Sequence, residues 1–139
     1  NGRPVANAVE PHKAARSSMS PLIVTDRDGR LVLVIGSPGG SSIIDYVARS
    51  TIAILDWNMP VQDALAQGNV IARWAPATVE TARMPPGIVE ALQARGSTTQ
   101  PSSAGEVSGL HAIRVTPHGL EGGADPRREG IVTSIPAQP

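Results

Sequence analysis

The clearest pattern in the chain is a pair of apolar, β-branched runs on either side of a short polar turn. Residues 22–25 (LIVT) and 31–35 (LVLVI) flank the turn at 26–29 (DRDG). Because Gly29 can adopt the positive φ that a tight turn requires, this pattern predicts a β-hairpin. Apolar residues follow one another in both runs, which is typical of strands that are covered on both faces.

Three helices are predicted after the hairpin. Residues 43–57 are apolar over most of the helix surface, and their narrow polar stripe includes Asp45 and Arg49 at i and i+4. Such a helix is expected to lie between two layers. A second helix is predicted over 60–67, beginning at a proline, and a third over 87–95, where the glycine that follows ends it.

The last third of the chain returns to short strands. Residues 110–116 alternate with period two and predict a half-exposed strand, and shorter strands are predicted at 120–123 and 131–135. Residues 1–16 are interpreted as an extended lead-in and residues 97–108 as a mobile loop of low complexity. Strands, then helices, then strands indicate an α+β layered fold, and the length suits a single domain over 1–139.

Composition and charge narrow the classes of function. Twelve basic residues balance twelve acidic ones, so no nucleic-acid partner is expected. No apolar run reaches the roughly 18 residues of a membrane span, and none is expected. The absence of cysteine excludes a thiolate nucleophile and a zinc–thiolate site. His12, His111 and His118 lack metal-ligand spacing, so no metal or cofactor is indicated.

The segment with the strongest chemical signal is 36–41 (GSPGGS), between a predicted strand and a predicted helix. Its glycines let a ligand approach the backbone, and free N–H groups there can bind an anion or stabilise the oxyanion of an acyl transfer. The alternative is that Gly39 and Gly40 only allow a sharp corner, and the residues alone leave both interpretations open. No lysine follows the glycines, so the segment is not a phosphate-binding P-loop.

Two adjacent hydroxyls, Ser17 and Ser18, stand directly before the hairpin. Such a pair can bind a carboxylate, although a local cap on the backbone is the simpler interpretation of serines alone. His111, in the alternating strand, is expected to pack or lie on the surface instead of acting as a base. The segment 125–128 (DPRR) is interpreted as a turn capped by its Asp, with a carboxylate–guanidinium site as the alternative.

Taken together, these motifs resemble the C-terminal part of gamma-glutamyltransferase (gamma-glutamyltranspeptidase). The resemblance runs over nearly the whole chain and implies an N-terminal-nucleophile α/β/β/α sandwich, incomplete because its leading strands are absent. The family is made as a precursor that cuts itself into a large and a small subunit, and this chain resembles a C-terminal fragment of the small one. The matching segments, in order, are RSSMSP at 16–21, the turn at Asp28-Gly29, GSPGGS at 36–41, Trp74, and GLEGGADPRR at 119–128.

The resemblance implies transfer of the γ-glutamyl group of glutathione to water or to an amino acceptor, through an acyl-enzyme and without a cofactor. Ser17 and Ser18 resemble the pair that binds the α-carboxylate of the γ-glutamyl group. Gly39 and Gly40 resemble the pair whose backbone N–H groups form the oxyanion hole. The family places its Thr nucleophile upstream of Asn1, so we expect this chain to be inactive by itself.

The implied partners are a γ-glutamyl substrate such as glutathione, the large subunit, and the preceding part of the small subunit. A homodimer or a swapped dimer is also expected, since missing strands would leave sheet edges unpaired. The resemblance implies a periplasmic or secreted location. Two alternatives remain open: a non-catalytic structural or binding module of the same fold, and an amide hydrolase like cephalosporin acylase that acts on another acyl group.

Overall fold

The computed structural model describes residue 5 and residues 7–73, 75–102 and 108–134. Asn1 and Trp74 therefore lie outside the described residues, as do parts of the predicted loop and of the last predicted strand. The described elements are β1 (Leu22–Thr25), β2 (Leu31–Gly36), α1 (Ile43–Leu55), α2 (Val61–Ala66), β3 (Val70–Ile71), β4 (Ala77–Val79), α3 (Ile88–Ala94), β5 (Thr99–Pro101), β6 (His111–Thr116) and β7 (Gly119–Ala124).

Four strands form the main sheet, in the order β1-β2-β6-β7 with every neighbouring pair antiparallel. The hairpin of β1 and β2 is confirmed, and Gly29 in its turn has a φ of 80°. The strand predicted at 110–116 is confirmed as β6, and the one at 120–123 as β7. The sheet ends next to the segments that carry the candidate chemistry: 17–18 precede β1, and 36–41 begins at the last residue of β2.

The core lies between one face of this sheet and the helices α1 and α2. All three predicted helices are confirmed to within two residues at each end, and Gly96 after α3 has a φ of 87°. Leu33 and Ile35 of β2 point into this core. The fully or nearly fully buried members of the cluster are Leu33, Ile35, Ile43, Tyr46, Val47, Ala53, Ile54, Val61, Ala64, Leu65, Leu110 and Ala112.

The opposite face of the main sheet is apolar and exposed among the described residues. Ile23 of β1 is 68% exposed, and Val34 and Ile113, which pair in register across β2 and β6, are 38% and 49% exposed. The outward side of α1 is exposed as well, at Ile44 and Ile52. Within the described part of the chain, the second covering layer predicted for these elements is not present.

Two further predictions differ from the structure. Part of the loop predicted over 97–108 is strand β5, which pairs in parallel with β4, and the backbone N–H of Ser102 donates to Val79 O at 2.8 Å. The strand predicted at 131–135 is absent over 131–134. Val132 instead lies over the open face of β7, where it would be 2.8 Å from a Cβ placed on Gly122. Within the described residues, no helix is both long and apolar enough to cross a bilayer.

Candidate active site

A sharp bend at residues 38–40, the glycine bend, joins β2 to α1. Gly39 has a φ of 134° and Gly40 a φ of 57°, both in a region of backbone conformation that residues with a side chain rarely adopt. The chain then makes a single 3-10 turn, in which Ser42 N–H donates to Gly39 O at 3.3 Å, and continues directly into the helix. The backbone conformation therefore favours glycine at both positions.

Among the described residues, the backbone N–H groups of Gly39 and Gly40 have no backbone or side-chain acceptor. Gly40 is exposed and Gly39 is half-buried, so a ligand oxygen can reach this segment. Unpaired amide donors at a fixed position are the groups that stabilise an oxyanion in acyl transfer.

The structure brings one of the two candidate serines directly to the glycine bend. The Ser18 hydroxyl donates to Gly40 O at 2.8 Å, across 22 positions of sequence. The Ser17 hydroxyl accepts the N–H of Met19 at 3.1 Å, so the local cap suggested by the sequence is also present. Because that contact uses only an oxygen lone pair, the Ser17 hydroxyl keeps its proton to donate to a carboxylate.

A buried aromatic ring packs against the glycine bend, and the sequence pattern did not predict it. Tyr46, the single tyrosine of the chain, is 1% exposed and lies one turn into α1. A Cβ built on Gly39 would stand 2.5 Å from Tyr46 Cε2, well inside the usual carbon–carbon contact distance. Tyrosine at this position gave no signal in the sequence, because its contact depends on how the bend turns back over the helix.

The segment 125–128 contains both the turn capped by Asp125 and the carboxylate–guanidinium pair, which the sequence left as alternatives. Asp125 Oδ1 accepts the backbone N–H of Arg127 at 3.0 Å, which is the predicted turn cap, and also the Arg127 guanidinium at 2.9 Å. The guanidinium reaches further to Glu80, with Nε 3.0 Å from Oε1. The side chains of Asp125 and Arg127 are 0% and 4% exposed, so this pair stabilises the fold and is closed to substrate.

Hydrogen bonding keeps the Asp125 carboxylate ionised. Burial alone would raise the pKa of Asp125, but hydrogen bonds outweigh it and lower that pKa below its ordinary value. Their donors are the backbone N–H and guanidinium of Arg127, the Ser108 hydroxyl and the backbone N–H of Leu110.

The histidines do not form a site together. His111 Nδ1 lies 3.0 Å from Gly109 O, and His118 occupies the turn at the far end of β6. Among the residues that the structure describes, no group of three or more His, Asp or Glu is arranged to hold a metal ion.

The known proteins that this chain resembles share both its sequence and its fold. A family model described as gamma-glutamyltranspeptidase matches residues 2–135. The chain belongs to the gamma-glutamyltranspeptidase family. It is 37% identical over 130 residues to a glutathione hydrolase proenzyme of Pseudomonas aeruginosa, a match that covers 91% of this chain. The chain spans only 23% of that relative's length.

Solved structures of the gamma-glutamyltranspeptidase family superimpose on the described fold. The W525D mutant of gamma-glutamyltranspeptidase from Pseudomonas nitroreducens gives a TM-score of 0.77 at 34% identity, over 96% of this chain and 70% of that one. Cephalosporin acylase from Bacillus halodurans gives 0.79 at 25% identity, over 94% of this chain and 25% of that one. The predicted α+β, N-terminal-nucleophile hydrolase-like fold is therefore confirmed.

Proposed function

We propose that this chain is the C-terminal part of the small subunit of an enzyme that transfers the γ-glutamyl group of glutathione to water or to an amino acceptor. The observation that carries the proposal is the 2.8 Å hydrogen bond from Ser18 to Gly40, which joins the candidate carboxylate-binding pair to the glycine bend. Family membership supports the same activity, since the relatives include proteins named glutathione hydrolase proenzyme.

Each candidate residue has a separate part in the proposed reaction. The N–H groups of Gly39 and Gly40 stabilise the oxyanion that forms when the γ-carbonyl is attacked, and one such donor is worth about 100- to 1000-fold in rate. The Ser17 hydroxyl and the backbone N–H of Ser18 hold the α-carboxylate, because the Ser18 hydroxyl proton is already donated to Gly40 O. They so fix the position of that carbonyl relative to the bend. The nucleophile and the groups that bind the substrate amine are proposed to come from the remainder of the enzyme.

The same remainder is the proposed partner of this chain. A second sheet would cover the open apolar face around Ile23, Val34 and Ile113, as in a layered sandwich. A large subunit and the preceding part of the small subunit are the proposed source of that layer. The periplasm or the extracellular space is the proposed location, on family resemblance.

The proposal is tested by removing the Ser17 hydroxyl from the enzyme and, separately, the α-carboxylate from the substrate, and by comparing the two effects on kcat/KM. In the complete proenzyme, Ser17→Ala is expected to lower kcat/KM for a γ-glutamyl anilide about tenfold or more, because a hydrogen bond to a charged group is removed. The matched substrate is 4-aminobutyryl anilide, which lacks only the α-carboxylate. On that substrate the variant and the wild type should have the same kcat/KM. Equal losses on both substrates, or no loss on either, would contradict the assignment.

A second candidate is an amide hydrolase that acts on another acyl group, favoured by the TM-score of 0.79 to cephalosporin acylase. Glutaryl anilide, which carries a carboxylate but no α-amine, separates the two activities. Preference for glutaryl over γ-glutamyl anilide would favour the acylase. Hydrolysis of neither by the mature complete protein would favour a non-catalytic module of the same fold.

A further inference from the structure

The residue just before the glycine bend is bound by a distant part of the chain. Ser37 Oγ accepts the backbone N–H of Gly109 at 3.1 Å, across 72 positions of sequence. The Ser37 hydroxyl donates its own proton to Pro38 O at 2.7 Å. Ser37 therefore connects the first residue of the glycine bend to the segment that precedes β6.

The contact at Gly109 is close as well as hydrogen-bonded. A Cβ built on Gly109 would stand 2.9 Å from Pro38 Cγ on one side and 2.6 Å from Arg128 Cδ on the other. The backbone at Gly109 therefore fits between these two side chains, and no larger residue can occupy the position without displacing one of them.

Residues 108–110, which we call the strap, are themselves fixed from the protein interior. The Ser108 hydroxyl donates to Asp125 Oδ2 at 2.7 Å, and Leu110 N–H donates to the same oxygen at 3.2 Å. Asp125 N–H donates back to Leu110 O at 2.8 Å. Because the Asp125 carboxylate is fully buried and paired with Arg127, the strap is held at both ends by a rigid group.

We propose that the strap positions the glycine bend for oxyanion stabilisation, and that Ser37 is the positioning residue through which it acts. This inference rests on the proposed function. The bend lies between β2 and the 3-10 turn and has no ladder hydrogen bonds of its own. Preorganised donors accelerate a reaction only as far as their position is fixed beforehand, so contacts that hold the bend contribute to the rate.

The kinetic test removes the Ser37 hydroxyl from the complete proenzyme. Ser37→Ala should lower kcat for a γ-glutamyl anilide about three- to tenfold with KM unchanged, because the oxyanion donors would be held less firmly in the transition state. Ser37→Thr keeps the hydroxyl and should restore kcat. The matched control is Thr116→Val, because Thr116 Oγ1 also accepts a backbone N–H, that of His118 at 3.2 Å, in a turn at the far end of β6. Both variants should cleave themselves to the same extent and have the same thermal midpoint, so that a difference in kcat does not come from misfolding.

A second measurement follows the bend without any substrate. The N–H groups of Ser42 and Ile43 donate to Gly39 O and Gly40 O, so their hydrogen exchange reports how firmly the bend is held. Exchange at these two amides should be faster in Ser37→Ala than in Thr116→Val. Wild-type kcat in Ser37→Ala, or unchanged exchange at both amides, would overturn the inference.

The two proposals fail in different ways. A wild-type enzyme that cleaves no γ-glutamyl substrate refutes the proposed function, and the exchange measurement then decides by itself whether the strap holds the bend. An active wild type whose Ser37→Ala variant keeps either the wild-type kcat or the wild-type exchange at both amides refutes the positioning role of the strap alone.

Discussion

The contact between Gly39 and the ring of Tyr46 leads to a prediction that separates two neighbouring glycines. Gly39→Ala places a Cβ 2.5 Å from Tyr46 Cε2 and 3.2 Å from Cδ2, and the residue would keep a φ of 134°. Gly40→Ala places its Cβ in open space, with nothing within 4 Å, at a φ of 57°. The two substitutions are chemically identical and adjacent, so they differ in what surrounds the added methyl group and in the φ that the new alanine must adopt.

The expected free energies follow from these surroundings. Carbon atoms pack at about 3.5–4.0 Å, so the Gly39→Ala methyl forces the ring or the bend to move by about 1 Å. Overpacking of that kind costs about 1–3 kcal/mol, and a strained backbone adds about 1–3 kcal/mol, giving about 2–6 kcal/mol. Gly40→Ala carries only the left-handed backbone penalty of about 1–2 kcal/mol.

Equilibrium urea denaturation of the complete enzyme measures both variants. A double-mutant cycle identifies the cause: in a Tyr46→Leu background, Gly39→Ala should cost about 1–3 kcal/mol less than in the wild type, because the clashing ring is gone. The reasoning is refuted if Gly39→Ala destabilises no more than Gly40→Ala, or if its cost is the same with and without the ring.

Four further predictions concern three interior residues and one exposed residue for comparison. Arg127→Leu should lower the free energy of unfolding by about 3–5 kcal/mol, since it leaves the buried carboxylate of Asp125 unpaired. Arg83→Ala, which also removes a partner of Glu80 but at a 38% exposed side chain, should cost at most about 1 kcal/mol in the same denaturation assay. Because the pKa of Asp125 is lowered in the folded state, its ionised carboxylate stabilises the fold at pH values above the unfolded pKa of 3.8. This contribution should be lost as the pH falls through the folded pKa. Asp125→Asn should therefore weaken the pH dependence of stability in that range, as followed by circular dichroism during an acid titration. Leu33→Ala should cost about 2–5 kcal/mol by calorimetry, because Leu33 is fully buried in the core.

Features that depend on neighbouring residues were predictable from the sequence. Gly29 in the hairpin turn and Gly96 after α3 are signals read within a few residues, and both adopt the positive φ that was expected. The glycine bend was found in the same way, because strand, glycines and helix follow one another directly. The local sequence is sufficient to predict these elements, because they do not depend on a tertiary contact.

Features that join distant residues were not predictable. Strand β5 looked like a loop because its parallel partner β4 lies about twenty positions earlier and leaves no pattern in the composition of 97–108. Glu80 meets Arg127 across 47 positions, and no periodicity links the two. Apolar side chains at successive positions of the main sheet indicate that both faces avoid water. They do not show which part of the protein covers each face, so the exposed face of the described residues was not predictable.

The link between Ser37 and Gly109 also affects the order in which this region takes shape during synthesis. A ribosome releases the glycine bend long before the strap, and longer still before Asp125, which anchors it. Local contacts form fast, whereas contacts between remote parts of a chain wait for loop closure. The bend should therefore emerge beside a nascent hairpin before its conformation is fixed. It should acquire its final geometry only after Asp125, that is, after nearly nine-tenths of these residues have been translated. A product truncated before the strap should therefore retain the hairpin but lack the final conformation of the bend.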